Sequence, residues 1–259
     1  MITKRLPHKF ILICTLFLVA ILTYVQISSS RENAPENALE RAANLDGGTI
    51  TGVVRFPKAY PEREKITITK DQQICGAFQF SEVFVVSDVN HGLQNVIVFL
   101  ENTKGGKIKP LAKPATLEQK GCRYVPHVQA VPVGTELDIL NEDGILHNVH
   151  AYYNELDPSK TIFNKAQPKF LKKIKQTLEK PGIYYFKCDV HDHMSAFIAV
   201  MDHPYYDVTN DMGQFTLSNV PPGTYKIQAW HEALGTLEKE VTVEAGKTAE
   251  VKFDILPNE

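Results

Sequence analysis

The sequence predicts an all-β protein, and three features do so. Short runs rich in β-branched and aromatic residues recur from residue 47 onward. Gly and Pro, fifteen of each, break these runs at short intervals, which is how strands are separated by turns. Only "PKFLKKIKQTLEKPG" has apolar spacing that suits a helix (Phe170, Leu171, Ile174, Leu178), and a strand ending at Pro181-Gly182 fits it equally. Short strands so spaced build sandwiches or barrels.

The elements follow in order. Lys4, Arg5 and Lys9 precede "FILICTLFLVAILTYV", an uncharged run of sixteen residues from Phe10 to Val25. Positive charge before an apolar run marks a secretory signal or signal anchor over residues 1–30. The run falls short of the roughly 20 residues that comfortably span a bilayer. Gln26 and Ile27 extend it to a marginal span, and Ser28 and Ser30 loosely suit cleavage after Ser30. The polar "SSSRENAPENALERAANLDGG" that follows reads as a linker, taken as residues 31–46. Then "GTITGVVRF" alternates Ile50, Gly52, Val54 and Phe56 on one face. "LQNVIVFLE", "GTELDILNEDG", "GIYYFKC", "GQFTLSNV", "GTYKIQAW" and "EKEVTVEAGKTAEVKFDIL" have the length and boundaries of strands. In Trp230-His231-Glu232, His231 and Glu232 are expected to cap a strand rather than bind metal.

A net charge of -2 with no long basic run argues against nucleic acid as a partner. "NTKGGK" lacks the first glycine and final hydroxyl of a phosphate loop. With no nucleophile–base pattern either, no catalytic activity is expected. Export implies an oxidising compartment. Cys14 lies in the leader, which leaves Cys75, Cys122 and Cys188. Pairing Cys75 with Cys122 leaves Cys188 alone, either as a functional thiolate or as an inert buried thiol.

"GTITGVVRF…LQNVIVFLE" resembles the opening strands of a carboxypeptidase-regulatory or transthyretin-like sandwich, and "TNDMGQFTLSNVPPGTYKIQAW" resembles its later strands. The likeness rests on Gly213-x-Phe215, the Pro221-Pro222-Gly223 turn and Tyr225. About a hundred residues separate the halves. The resemblance therefore implies a second β domain inserted into the first. The divisions are 47–106 and 203–259 for the two parts of the regulatory-like sandwich, with 107–202 between them. Two sequential domains are the alternative.

The inserted stretch contains "YYFKCDVHDHM", in which Cys188, His191 and Met194 have the spacing C-x2-H-x2-M. Upstream, "YVPHVQAVPVGTELDILNEDGILHNV" ends in His147-Asn148-Val149. Together these resemble the cupredoxins, the blue-copper family, and the loop spacing is similar to that of amicyanins. The resemblance implies a cupredoxin-like Greek-key sandwich and one type 1 copper ion. It implies His147, Cys188, His191 and Met194 as ligands, with Asn148 tying the two ligand loops by hydrogen bonds. The chemistry suits these types: two imidazoles and a thiolate in a near-trigonal plane with a weak thioether serve both Cu(I) and Cu(II). By the same resemblance His191 is expected near the surface as the electron port.

His150 and His193 stand beside these residues and are expected on their neighbours' faces, as surface groups or as extra metal contacts. A Cys75–Cys122 bridge would staple the first sandwich half to the inserted domain. The implied function is single-electron transfer in the periplasm or on the outer face of the inner membrane. The partner is then a periplasmic or membrane redox protein, with membrane contact only through the N-terminal segment. Copper carriage or buffering, and a structural module that has lost its metal, are the alternatives.

Overall fold

The computed structural model describes residues 47–56, 62–101, 103, 106–154 and 156–255. The predicted leader and linker lie outside the described residues. Among the described residues no helix is long and apolar enough to cross a membrane. The described chain is all-β apart from a four-residue helix and a 3-10 turn at Pro158–Lys160.

The first sandwich is built from strands at both ends of this stretch. β1 (Gly48–Arg55) lies between β15 (Gln214–Val220), antiparallel, and β18 (Thr248–Asp254), parallel. The opposing sheet runs β14 (Tyr206–Val208), β4 (Ile97–Leu100), β16 (Gly223–His231), β17 (Gly235–Val243). Strands from before and after the long middle segment thus share both sheets. Period-two alternation turns Ile50, Val54, Phe215, Leu217, Ile227 and Phe253 into one apolar core. Each such side chain contributes about 1.5–3 kcal/mol by leaving water. Gly213 has φ 71°, and a Cβ there would lie 2.3 Å from the Val54 carbonyl oxygen. Both facts explain why no larger residue stands there.

The middle segment forms the second sandwich. Its strands are β5 (Ala115–Gln119), β6 (Tyr124–Val125), β7 (Val128–Pro132), β8 (Thr135–Asn141), β9 (His147–Tyr153), β10 (Thr161–Gln167), β11 (Lys173–Leu178), β12 (Gly182–Lys187) and β13 (Ser195–Met201). One sheet runs β10-β9-β12-β13-β7 and the other β11-β8-β5-β6. The chain changes sheet on either side of β7, between β8 and β9, and on either side of β11, a Greek-key sandwich with Leu117, Leu137, Ile139, Val149, Phe186 and Ile198 at its centre. The stretch that suited either a helix or a strand is β11, paired along its length with β8. Phe170, 81% exposed, precedes the strand and joins no apolar face. The partner strand and the Pro181-Gly182 turn decide in favour of extension.

β13 explains its own composition. Ala196, Ile198 and Val200 face the second core, while Phe197, Ala199 and Met201 face Ile97 and Trp230 of the first sandwich. A strand buried on both faces reads as a continuous apolar run.

One segment departs from its neighbours in sequence. Between β1 and β4 the chain forms β2 (Lys65–Thr67), helix α1 (Gln72–Cys75) and β3 (Phe78–Phe80). Although it falls within 47–106, its Ile68 and Cys75 are buried in the second core. It covers the end of that sandwich where the Cys188 loop emerges.

Candidate metal centre

The loop from Cys188 to Met194 joins β12 to β13. Because those strands pair antiparallel up to Lys187 and Ser195, the loop's two ends are brought together. The Cys188 N–H donates to the Met194 carbonyl at 3.3 Å, and the Met194 N–H to the His191 carbonyl at 3.0 Å. The His191 N–H points back to the Cys188 sulfur at 3.4 Å. Met194 and Cys188 are both buried.

His147 opens β9 after a turn at Gly144, whose φ is 68°. Asn141 holds that turn. Its Nδ2 donates to the carbonyls of Ile145 at 2.8 Å and Gln167 at 2.9 Å, and its Oδ1 accepts from the Gly144 N–H. Tyr124, fully buried, sets the distance between the two ligand-bearing segments. Its hydroxyl reaches the carbonyls of Asn148 at 2.6 Å and Lys187 at 3.1 Å. Burial, reinforced by the charges of Cys188 and Asp189, keeps that phenol protonated well above its ordinary value.

Three donors converge. The Cys188 sulfur lies 3.9 Å from Nδ1 of His147 and 3.9 Å from Nδ1 of His191. The far nitrogen of each ring meets a carboxylate: His147 Nε2 to Asp143 at 2.9 Å, His191 Nε2 to Asp71 at 3.0 Å. A carboxylate on the distal nitrogen fixes the tautomer, leaving Nδ1 free to bind, and raises its basicity. Burial alone would depress His147, but its hydrogen bonds to Asp143 and Cys188, reinforced by their charges, outweigh it and hold it at about 9. Burial would likewise raise the Cys188 thiol. The His147 contact and the N–H groups of Asn148, His191 and Val190 overcome it and lower the pKa. His191 is lowered, first by burial and then by the His147 charge, against the pull of Asp71.

The donor set fits a single soft-to-borderline ion. A 3.9 Å separation of sulfur from nitrogen is shorter than a metal–sulfur plus a metal–nitrogen bond, about 4.3 Å in zinc sites, so one ion can bond both. Thiolate with imidazole is the chemistry that suits copper.

Asn148 joins the two ligand segments: its Oδ1 accepts from the Asp189 N–H at 3.0 Å, and its own N–H points to the Cys188 sulfur at 3.4 Å. His191 departs from expectation. It is 2% exposed, not a surface group, because Asp71 and the segment of residues 65–80 lie over it. His150 also departs. It stands three residues after His147 in β9, an odd step that puts it on the opposite face. There it contacts Asp189, Tyr152, Thr161 and Asn164. His193 is half-buried, and its Nε2 lies 3.1 Å from the Cys122 carbonyl oxygen. Cys75 and Cys122 are joined in a disulfide, and Cys188 is free.

Asp71, Asp143 and Tyr124 escaped the sequence reading. Asp143, four residues before His147, offered a local signal; Asp71, 120 residues from His191, offered none. Glu232, expected to cap a strand, instead pairs with His127 across the two sandwiches at 2.5 Å, with His127 Nδ1 3.0 Å from the Ser195 carbonyl oxygen. His231, which ends β16, is buried with Nε2 2.9 Å from the Val83 carbonyl oxygen.

No curated protein sequence matches the chain. Among solved structures, a reduced Cu(I) form of an amicyanin variant is 16% identical with a TM-score of 0.31, covering 40% of this chain and 98% of its own. A purple cupredoxin from Nitrosopumilus maritimus is 22% identical with a TM-score of 0.28, covering 34% and 99%. A copper-containing nitrite reductase from Thermus scotoductus is 23% identical with a TM-score of 0.28, covering 39% of this chain and 25% of its own. Residues 196–256 match the carboxypeptidase regulatory-like domain family. That span runs from β13 through β18 and so takes in the later strands of the first sandwich.

Proposed function

We propose that the chain is an exported type 1 copper protein that passes single electrons, in which His147, Cys188 and His191 would hold the ion with Met194 as a weak fourth ligand. The observation that carries this reading is the convergence of the Cys188 sulfur with two imidazole Nδ1 atoms at 3.9 Å each. Copper, when bound, supplies the one-electron change between Cu(I) and Cu(II). The protein's part is to hold one ligand arrangement through both states. Asp143 and Asp71 lock the imidazole tautomers, N–H groups from Asn148 and His191 face the sulfur, and Tyr124 ties the two ligand segments. Burial of all four side chains excludes water from the site. Because His191 is covered, an electron arriving from that side crosses the segment around Asp71.

In this reading the apolar leader delivers the chain to the periplasm or the outer face of the inner membrane. Its partner is a periplasmic or membrane redox protein, and the chain performs no catalysis of its own. The copper-loaded, oxidised chain is expected to show a strong visible thiolate-to-copper band and the matching paramagnetic resonance spectrum, both lost in Cys188→Ser. A colourless protein after loading sinks the proposal. Copper carriage or buffering needs an ion that exchanges. Buried ligands favour retention, so repeated oxidation and reduction is expected to proceed without metal loss.

A further inference from the structure

The disulfide lies against the metal centre rather than at a distance from it. Ligand atoms of Cys75, Cys122 and His191 fall within 4.8 Å of one another, and so do those of Cys122, Asp143 and His147. All three residues of the first group are buried. The surroundings are held from both sides. The N–H groups of Gly121 and Cys122 donate to Asp143, Gln79 donates to the Gly121 carbonyl, and Lys70 donates to the Val190 carbonyl in the ligand loop. The bridge therefore lies beside an imidazole and a carboxylate that are already held in place.

We propose that Cys75 and Cys122, once reduced, form a second metal site, for a soft monovalent cation, beside His191 and next to the Cys188 centre. Disulfide sulfur is a poor ligand, whereas a pair of thiolates is a strong site for Cu(I). The choice of Cu(I) as the cation rests on the copper reading above. Two electrons and two protons from a small dithiol cleave the sulfur–sulfur bond to give two thiols, and the dithiol becomes a cyclic disulfide. Binding of Cu(I) then releases the two thiol protons. Asp71 engages one nitrogen of His191, so His191 binds one ion at a time. With both sites filled it stays with the Cys188 set and the two thiolates hold their own Cu(I). Its exchange between the sets would pass an ion from one to the other. The oxidised bridge, by contrast, leaves only the Cys188 set.

The test counts Cu(I). The full chain is treated with excess dithiothreitol or left oxidised, freed of reductant without air, and titrated against a coloured Cu(I) chelator, with free thiols counted in parallel. The oxidised chain is expected to take one Cu(I), the reduced chain two. Reduced Cys188→Ser is expected to take one, and the Cys75→Ser/Cys122→Ser double variant one whether or not it is treated. Comparing two states of the unmutated chain keeps the result independent of any variant's folding. A reduced chain that takes only one ion, a Cys188→Ser chain that takes none, or a bridge that stays closed in excess dithiol overturns the inference. An oxidised chain that takes no ion while reduced Cys188→Ser takes one instead removes the type 1 reading and leaves this site standing.

Discussion

The two sandwiches spend their interiors differently. The first buries a large apolar cluster, from Ile50 and Val54 through Phe253 and Ile255, with His203, Thr209 and His231 as its few buried polar side chains. The second buries Gln119, Asn141, His147, Asn148, Gln167 and His191 alongside its aliphatic residues. Polar groups taken from water cost stability unless they are bonded. Here they form a connected set: Gln119 donates to Gln167, Gln167 donates to the Ile139 carbonyl, and Asn141 donates to two further carbonyls. The contrast teaches that one sandwich is built to be stable and the other to hold a few polar side chains in one arrangement.

Substitutions that respect or violate this division sharpen it. Phe253→Ala opens a cavity in the apolar cluster of the first sandwich, since Phe253 is fully buried. A loss of about 3–5 kcal/mol is expected in denaturant unfolding, with the copper spectrum of the folded fraction unchanged. Asn141→Ala strands the half-buried Ile145 carbonyl and the buried Gln167 carbonyl that its amide serves. It is expected to cost about 1–3 kcal/mol and, unlike the first change, to alter the spectrum by loosening the turn before His147. An unaltered spectrum there breaks the proposed division of labour.

Two smaller effects appear as slopes with pH. In the metal-free protein His147 is raised to about 9 from an ordinary value near 6.5. Its contribution to stability is therefore fully present below about 6.5 and is lost as pH rises through about 9. Asp143→Asn is expected to flatten that slope in chemical unfolding measured from pH 6 to 10, and to bring the His147 titration seen by NMR back toward its ordinary value. At the junction of the sandwiches, burial would lower His127, but Glu232 and Glu82 raise it. The stability it adds is likewise present below its ordinary pKa and is lost as pH rises through the raised one. Glu232→Gln is expected to remove this smaller slope and leave the metal centre untouched. A shifted copper spectrum in that variant would show that the sandwiches are coupled.

Much of this was legible in residues alone. Alternation placed Ile50, Val54 and Phe56 inside, and Gly and Pro marked the turns. The spacing of Cys188, His191 and Met194 is a local fact, because a short loop between paired strands must bring its ends together. Other features were not legible. That residues 147–153 form a strand had to be known before the three-residue step from His147 could place His150 on the opposite face. The ambiguous stretch at 168–182 needed its partner β8, because local spacing suited helix and strand alike.

Residue types and local spacing thus determined the strands, the turns and the Cys188 loop, since period-two burial and backbone freedom act over a few residues. Tertiary structure alone decided that Asp71 and the Cys75–Cys122 bridge lie against His191. Those contacts join residues separated by 120 and by 47 positions. Loop closure over such lengths is favoured only by the packing of Ile68 and Cys75 into a core assembled elsewhere in the chain.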